Sequence, residues 1–157
     1  MNWFKFFTLF CLSSIVNADN FYCKVVGISD GDTITCLTNK KQQLKIRLYQ
    51  IDAPEKKQAF GQKSKQLLSN LIFNKNIRLE PHKKDKYRRT LGTIYLNKKD
   101  INLEMIRRGM AWYYPFAKKN KLYEQEEKLA RGHKRGLWQD KKATAPWEFR
   151  KNRKLNK

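Results

Sequence analysis

Four of the chain's acids fall into two tight groups. Asp30 and Asp32 flank Gly31, while Asp52 and Glu55 follow Arg47 at the end of an alternating run. Only 14 Asp and Glu stand against 35 Lys and Arg among 157 residues, so acids set this close need a reason. Clustered carboxylates repel one another unless something positive sits among them. A hard cation such as Ca²⁺ takes several carboxylate, carbonyl and water oxygens, and its charge removes the repulsion. For both groups to share one cation, the turn carrying Asp32 and the strand end carrying Asp52 must lie side by side, which a barrel of strands can achieve. Asp30-Gly31-Asp32-Thr33 taken alone proves little, since Asp and Gly populate ordinary turns.

The elements needed are legible around these residues. Residues 21–29 carry Val25, Val26 and Ile28, residues 33–38 are β-branched and alternate, and Asp30-Gly31-Asp32 has turn chemistry, which predicts a hairpin. After a second turn at Asn39-Lys40-Lys41, Leu44, Ile46 and Leu48 share one face of a strand running to Ile51, with Lys45, Arg47 and Tyr49 on the other. Pro54 ends it. Residues 61–73 place Leu67, Leu68, Leu71 and Ile72 at helical spacing. Alternation returns over residues 76–81 and 90–96, with a basic loop over 82–89 between them. Asp100 can cap a helix that reaches Arg108 and stops at Gly109, and residues 123–131 predict a third helix ended by Gly132. Three strands, a helix, two strands and two helices describe a mainly β chain with α, a five-stranded OB-type barrel with three helices. The basic tail over residues 151–157 is expected to fray.

Charge and leader bound the function. A formal charge of +21 draws the protein to polyanions, and 40% hydrophobic with 13% aromatic residues is too apolar for a disordered polycation, so nucleic acid is the leading partner. Lys5 precedes an apolar run over residues 6–16, and Val16-Asn17-Ala18 offers a cleavage site, which reads as a signal peptide over residues 1–18; an uncleaved anchor or a buried first helix is the alternative. Cleavage removes Lys5 and leaves 34 basic against 14 acidic side chains, a charge of +20. Residues 19–150 are then one folded domain, secreted or periplasmic, with no segment apolar enough to insert stably in a bilayer. Cys23 and Cys36 remain in an oxidising compartment. A hairpin centred on Gly31 sets Cys23 opposite residue 39, so a disulfide requires a bulge or a shifted strand, and a disulfide and two buried thiols both stay open. His82 and His133 are isolated and read as surface residues.

Three separated motifs then agree in order and spacing: Ser29-Asp30-Gly31-Asp32-Thr33, Ile46-Arg47-Leu48-Tyr49-Gln50-Ile51-Asp52-Ala53-Pro54-Glu55, and Asp85-Lys86-Tyr87-Arg88-Arg89. Together they resemble the staphylococcal nuclease (thermonuclease) family. The similarity continues through Arg108-Gly109-Met110-Ala111-Trp112, Arg135-Gly136-Leu137-Trp138 and Pro146-Trp147-Glu148-Phe149-Arg150, as in its secreted or periplasmic bacterial branch, and covers residues 21–150. The resemblance implies Ca²⁺ held by Asp32, Asp52 and the backbone carbonyl of Ala53, with Asp30 behind them. It implies Glu55 activating the attacking water, and Arg47 and Arg89 holding the scissile phosphate. Ala53 stands where the best-known member has threonine, which a carbonyl ligand tolerates. Lys86 and Tyr87 match residues that grip the neighbouring phosphate and nucleotide, with a solvated turn as the alternative. Arg88 departs from the pattern, standing where a glycine often sits, and implies a stiffer loop with a stronger hold on the nucleic-acid backbone. Tyr113, Tyr114 and Phe116 lie near the family's base-stacking tyrosines, with Pro115 at one of those positions, so a stacking surface is carried over while core packing by Trp112 and Tyr113 stays open.

The roles are chemically coherent, because a cation and two guanidiniums around a phosphodiester offset the charge gained in its pentacoordinate transition state. The expectation is a monomeric Ca²⁺-dependent nuclease that hydrolyses DNA and RNA with little sequence specificity and leaves 3′-phosphate ends. The main alternative is a non-catalytic OB-type nucleic-acid-binding protein, against which stand Asp32, Arg47, Asp52, Glu55 and Arg89. A cationic membrane-active protein explains the charge and leaves the acidic groups without a purpose.

Overall fold

The computed structural model describes residues 21–155, so the signal peptide lies outside the described residues. The chain begins as a meander of β1 (Phe21–Ile28), β2 (Thr33–Thr38) and β3 (Gln43–Leu48). A short β4 (Ile51–Asp52) and α1 (Gly61–Ile72) follow, then β5 (Asn76–Lys84), β6 (Thr90–Leu96) and β7 (Lys99–Asp100). The chain continues through α2 (Ile101–Arg107), β8 (Trp112–Tyr113), α3 (Lys121–Gly132), a 3₁₀ turn at Gly136–Gln139 and α4 (Pro146–Leu155). The sheet runs β3-β2-β1-β5-β6, and β6 returns to pair in parallel with β3, which closes the expected five-stranded barrel. Val25, Ile34, Ile46, Leu48, Ile77, Leu79 and Ile94 fill its interior at 0 to 1% exposure, with Leu68 and Ile72 of α1 and Met105 and Ile106 of α2 in the same core. No helix among the described residues is long and apolar enough to cross a membrane.

Three departures from the sequence reading have physical causes. The β1–β2 hairpin pairs Ile28 with Ile34, but Val26 is an extra residue between the Val25↔Cys36 and Gly27↔Thr35 pairs, so Cys23 faces Thr38 instead of residue 39. This bulge makes Cys23 and Cys36 diagonal neighbours on the buried face with Cα atoms 5.7 Å apart, and they form a disulfide. The third strand stops at Leu48, short of Ile51. Gln50 takes φ 62° and the chain turns before pairing Ile51 with Tyr113 and Asp52 with Trp112. Part of the basic loop is strand, since β5 continues through Lys84 with a bulge between Pro81 and Lys83.

The C-terminus differs most. The described residues hold four α-helices where three were expected, and the tail forms α4 as far as Leu155 in place of fraying. Pro146 at the first helical position suits a fixed φ, and Glu148 lies in the first turn where the helix dipole favours an acid. Trp147 anchors the helix against a second hydrophobic cluster of Trp112, Ala130, Leu137, Trp138 and Ala145. That cluster rests on a backbone crossing that only glycine allows. Gly109 (φ 64°) and Gly136 (φ 53°) approach so closely that a Cβ on either would lie 2.1 to 2.3 Å from a carbonyl oxygen of the other segment, and Leu137 N–H donates to Gly109 O at 2.8 Å.

One buried amide locks α2 onto the closed barrel. Asn102, fully buried, accepts from Ile94 N–H through Oδ1 at 3.2 Å and donates through Nδ2 to Tyr49 O (3.0 Å) and Gly92 O (3.1 Å). Replacing it with the similarly sized Leu strands those backbone groups, so Asn102→Leu is expected to cost ~2–4 kcal/mol, read as a lowered urea midpoint at unchanged slope. The Cys23–Cys36 bridge closes a loop with a sequence separation of 13. Reduction, or Cys23→Ser with Cys36→Ser, should lower stability by about 3 kcal/mol, checked by melting with and without reductant.

Candidate active site

The acidic groups converge at one end of the barrel around the Arg47 guanidinium. Asp32 sits in the β1–β2 turn and is 6% exposed, Asp52 ends β4 at 1%, and Arg47 lies on β3 between them. Arg47 Nη1 lies 3.1 Å from Asp32 Oδ2, and its Nη2 lies 2.8 Å from Asp52 Oδ1. Its Nη1 also donates to Ile51 O at 3.2 Å. Local structure makes this possible in two ways. The β2–β3 register pairs Thr33 with Arg47, so the Asp32 turn is level with the arginine, and Leu48 N–H donates to Asp32 O at 2.8 Å. The turn at Gln50 does the rest. On an unbroken strand Asp52 would project to the face opposite Arg47, five residues earlier; the reversal brings it back.

The remaining bonds hold the carboxylates in place. Asp32 Oδ1 accepts from Thr33 Oγ1 (2.9 Å), and Oδ2 accepts from Ala53 N–H (2.7 Å). Asp30 Oδ1 accepts from Asp32 N–H at 3.1 Å, which places Asp30 behind the pair. Gly31 keeps the turn against α1, where a Cβ would fall 1.9 Å from Ser64 Oγ. Glu55 lies in the turn before α1, with Gln58 N–H donating to its carbonyl at 2.8 Å, and its side chain is 30% exposed at the rim.

Electrostatics follows burial. The Asp30 carboxyl is pushed up to about 6 by burial and by Asp32 beside it. Burial also pushes Asp52 up, by more than its arginine partners pull it down. Burial works against the charge on Arg47, yet Asp32 and Asp52 outweigh it and hold the guanidinium above its ordinary range.

Arg150, which the sequence reading quoted in a motif without giving it a role, reaches this cluster from α4. Its Nη2 lies 2.7 Å from Asp52 Oδ2, and its Nη1 donates to Asp52 Oδ1 (3.2 Å) and Glu55 Oε1 (2.8 Å). The hydrogen bond to Asp52 holds Arg150 above the usual arginine range. A separation of 98 residues hid the contact, and the only sequence signal was its place in Pro146-Trp147-Glu148-Phe149-Arg150.

Arg89 is held apart from the carboxylates. It immediately precedes β6, whose Leu91 is the register partner of Arg47, but its Nε lies 2.7 Å from Asp85 Oδ2. Asp85 Oδ1 accepts from the N–H groups of Tyr87 and Arg89, so one acid builds the whole turn. Arg88 adopts φ 63° there, the left-handed conformation that explains why glycine suits the position. Tyr87 is 67% exposed, with Lys86 Nζ 5.0 Å and Arg89 Cζ 5.4 Å from its ring centroid.

The aromatic residues divide. Tyr113 is buried, with its hydroxyl accepting from Asn120 N–H and its own N–H donating to Glu127, and Trp112 is buried against Trp138. Core packing claims these two. Tyr114 is half-buried and meets Phe116, 70% exposed, and Trp147 edge to face, with ring centroids 5.2 and 5.8 Å away. Next to them a groove of about 430 Å³ is lined by Trp112, Pro115, Lys119, Arg131 and Trp147 among others, and by none of the clustered acids. His82 is exposed as expected, though it stacks on Tyr49 with centroids 4.3 Å apart.

Known proteins resemble this chain in sequence. A family described as staphylococcal nuclease homologues matches residues 45–140. An uncharacterized endonuclease of Haemophilus influenzae is 46% identical over 148 residues, spanning 94% of this chain and 83% of that protein. A micrococcal nuclease of Shigella flexneri is 40% identical over 144 residues, with 84% and 82% covered, and Protein ParB of Escherichia coli is 39% identical over 140 residues, with 82% and 78% covered. A match over more than half the chain, falling on the strands and turns that carry Arg47, Asp52, Glu55 and Arg89, makes this chain a member of the staphylococcal nuclease family.

Proposed function

We propose that this nuclease depends on Ca²⁺, cuts DNA and RNA with little sequence preference, and leaves a 3′-phosphate and a 5′-hydroxyl. The observation that carries the reading is the sharing of one guanidinium by two buried carboxylates, Asp32 and Asp52, beside a rim carboxylate, Glu55. The donor set is hard oxygen throughout, which fits Ca²⁺. Among the described residues no three acidic, histidine or cysteine side chains form a metal-holding group by themselves. The family resemblance implies the Ala53 carbonyl as a further ligand beside Asp32 and Asp52, and water would complete the set, as a cation of flexible coordination permits. Bound there, such a cation supplies neutralisation of phosphate charge and a lowered barrier to attack on phosphorus.

The chain's own groups do the rest. Arg47 and Arg89 hold the non-bridging phosphate oxygens, a task suited to a planar fork that stays charged. Glu55 takes the proton of the attacking water as the new P–O bond forms. The bond from phosphorus to the 5′ oxygen breaks, that oxygen takes a proton from solvent, and the phosphate stays on the 3′ side. Low specificity follows from what meets the substrate: Lys86, Tyr87 and Arg88 in the turn and the half-buried Tyr114 offer charge and ring faces, which every nucleotide can accept. The protein acts as a monomer, and a signal peptide over residues 1–18 directs it to the periplasm or beyond. The Cys23–Cys36 disulfide supports an oxidising destination.

The decisive assay incubates purified protein with DNA and RNA in Ca²⁺ or excess chelator and identifies the product ends. Activity should vanish in chelator and collapse in Asp32→Ala and Asp52→Ala, each of which removes a hard ligand; full turnover in chelator would overturn the reading. Glu55→Gln keeps the volume but cannot take a proton, so turnover should fall by about 10²-fold or more while DNA retention on filters stays near wild type. An unchanged rate in that variant removes Glu55 from the base role.

A further inference from the structure

Arg150 raises a question that the proposed reaction leaves unanswered: a guanidinium occupies the oxygens that a metal and a general base would use. It grips Asp52 through both carboxylate oxygens, and the same Nη1 reaches Glu55 Oε1. Asp52 Oδ1 accepts from Arg47 and Arg150 together, which commits both of its lone pairs, and Oδ2 has given one to Arg150. A divalent cation on Asp52 needs those lone pairs and stands against a fixed positive charge within a few ångströms. The two cations compete for the same ligand.

The structure also distinguishes the arginine that stays from the one that can leave. Arg47 is rooted on a central barrel strand, bonds two carboxylates and a backbone carbonyl, and has a side chain only 16% exposed. Arg150 has a side chain 34% exposed and sits on the terminal helix, outside the barrel. Three residues before it, Trp147 holds that helix through edge-to-face contacts with Trp112, Tyr114 and Phe116 at 5.7 to 5.8 Å. We propose that Arg150 is an internal counter-cation that sets the metal affinity of the site: it compensates Asp52 and Glu55 when no metal is present and withdraws when the metal binds. The inference rests on the calcium reading above. It assigns α4 a role that the barrel and its three motifs do not require.

Calorimetric titration of the purified full-length protein with Ca²⁺ alone, without nucleic acid, tests it. Arg150→Gln removes the charge and keeps a hydrogen-bonding amide, so it should bind Ca²⁺ about tenfold or more tightly than wild type. Arg150→Lys, a point charge without the fork, should fall between them. Melting supplies a second readout: in chelator Arg150→Gln should melt below wild type, because Asp52 loses one of its two counter-charges and Glu55 its arginine, and Ca²⁺ should raise its melting temperature by more than it raises that of wild type. A variant that is unfolded in chelator and folds on adding Ca²⁺ supports the inference in the same way. Equal or weaker Ca²⁺ affinity in Arg150→Gln overturns it while leaving the calcium reading intact, whereas absence of Ca²⁺ binding in both proteins overturns the two together.

Discussion

One guanidinium placed between two buried carboxylates is the interaction on which the rest of this structure depends. Asp32 and Asp52 belong to different segments and are nearly inaccessible to water, and two such charges cannot share a low-dielectric site without a counter-charge. Arg47 supplies it from β3, and the surrounding architecture serves that placement. The β2–β3 register brings the Asp32 turn level with Arg47. The bend at Gln50 returns Asp52 to the same side. Parallel closure of β3 on β6 and the amide of Asn102 hold the end of β3 where the bend begins.

The site that results is negative inside a strongly positive protein. Four acids, Asp30, Asp32, Asp52 and Glu55, gather where two guanidiniums, Arg47 and Arg150, reach them. Other acids in this basic chain have defined structural tasks. Asp85 builds the turn beneath Arg89; Asp100 caps α2 by accepting from Leu103 N–H at 2.9 Å and accepts the Tyr123 hydroxyl at 2.7 Å; Glu127 takes the Tyr113 N–H. The surplus Lys and Arg, a formal charge of +21, provide a field that attracts polyanions such as nucleic acid. A polyanion is thus drawn to the surface broadly, while the clustered acids form a locally negative site within it.

Much of this was legible before any coordinates. The alternation of Leu44, Ile46 and Leu48, the Asp-Gly-Asp turn, the Asp100 cap and the Gly109 stop all express rules between near neighbours, and each element appeared within a few residues of its expected place. The acids stood out by scarcity and spacing and Arg47 by the family resemblance, and the structure brings Asp30, Asp32, Arg47, Asp52 and Glu55 to one barrel end. Besides α4, the parts of the fold missed by sequence lay at irregularities. The Val26 bulge, the bend at Gln50 and the extension of β5 past Pro81 depend on how strands fit around a closed barrel, and a local pattern does not encode that fit.

The sequence by itself therefore determined the kind of protein: a basic OB-type barrel whose acids and arginines sit at turn and strand ends, because hydrophobic period, capping and charge are properties of short stretches. Tertiary structure decided which of those groups meet. Tyr113 was drawn into the core and Tyr114 was left half-exposed, since β8 pairs with β4 through its own register. Arg89 was tied to Asp85, and Arg150 was carried across 98 residues onto Asp52. Contacts at that separation are set by the packing of α4 on the Trp112 cluster, and no local periodicity can announce them.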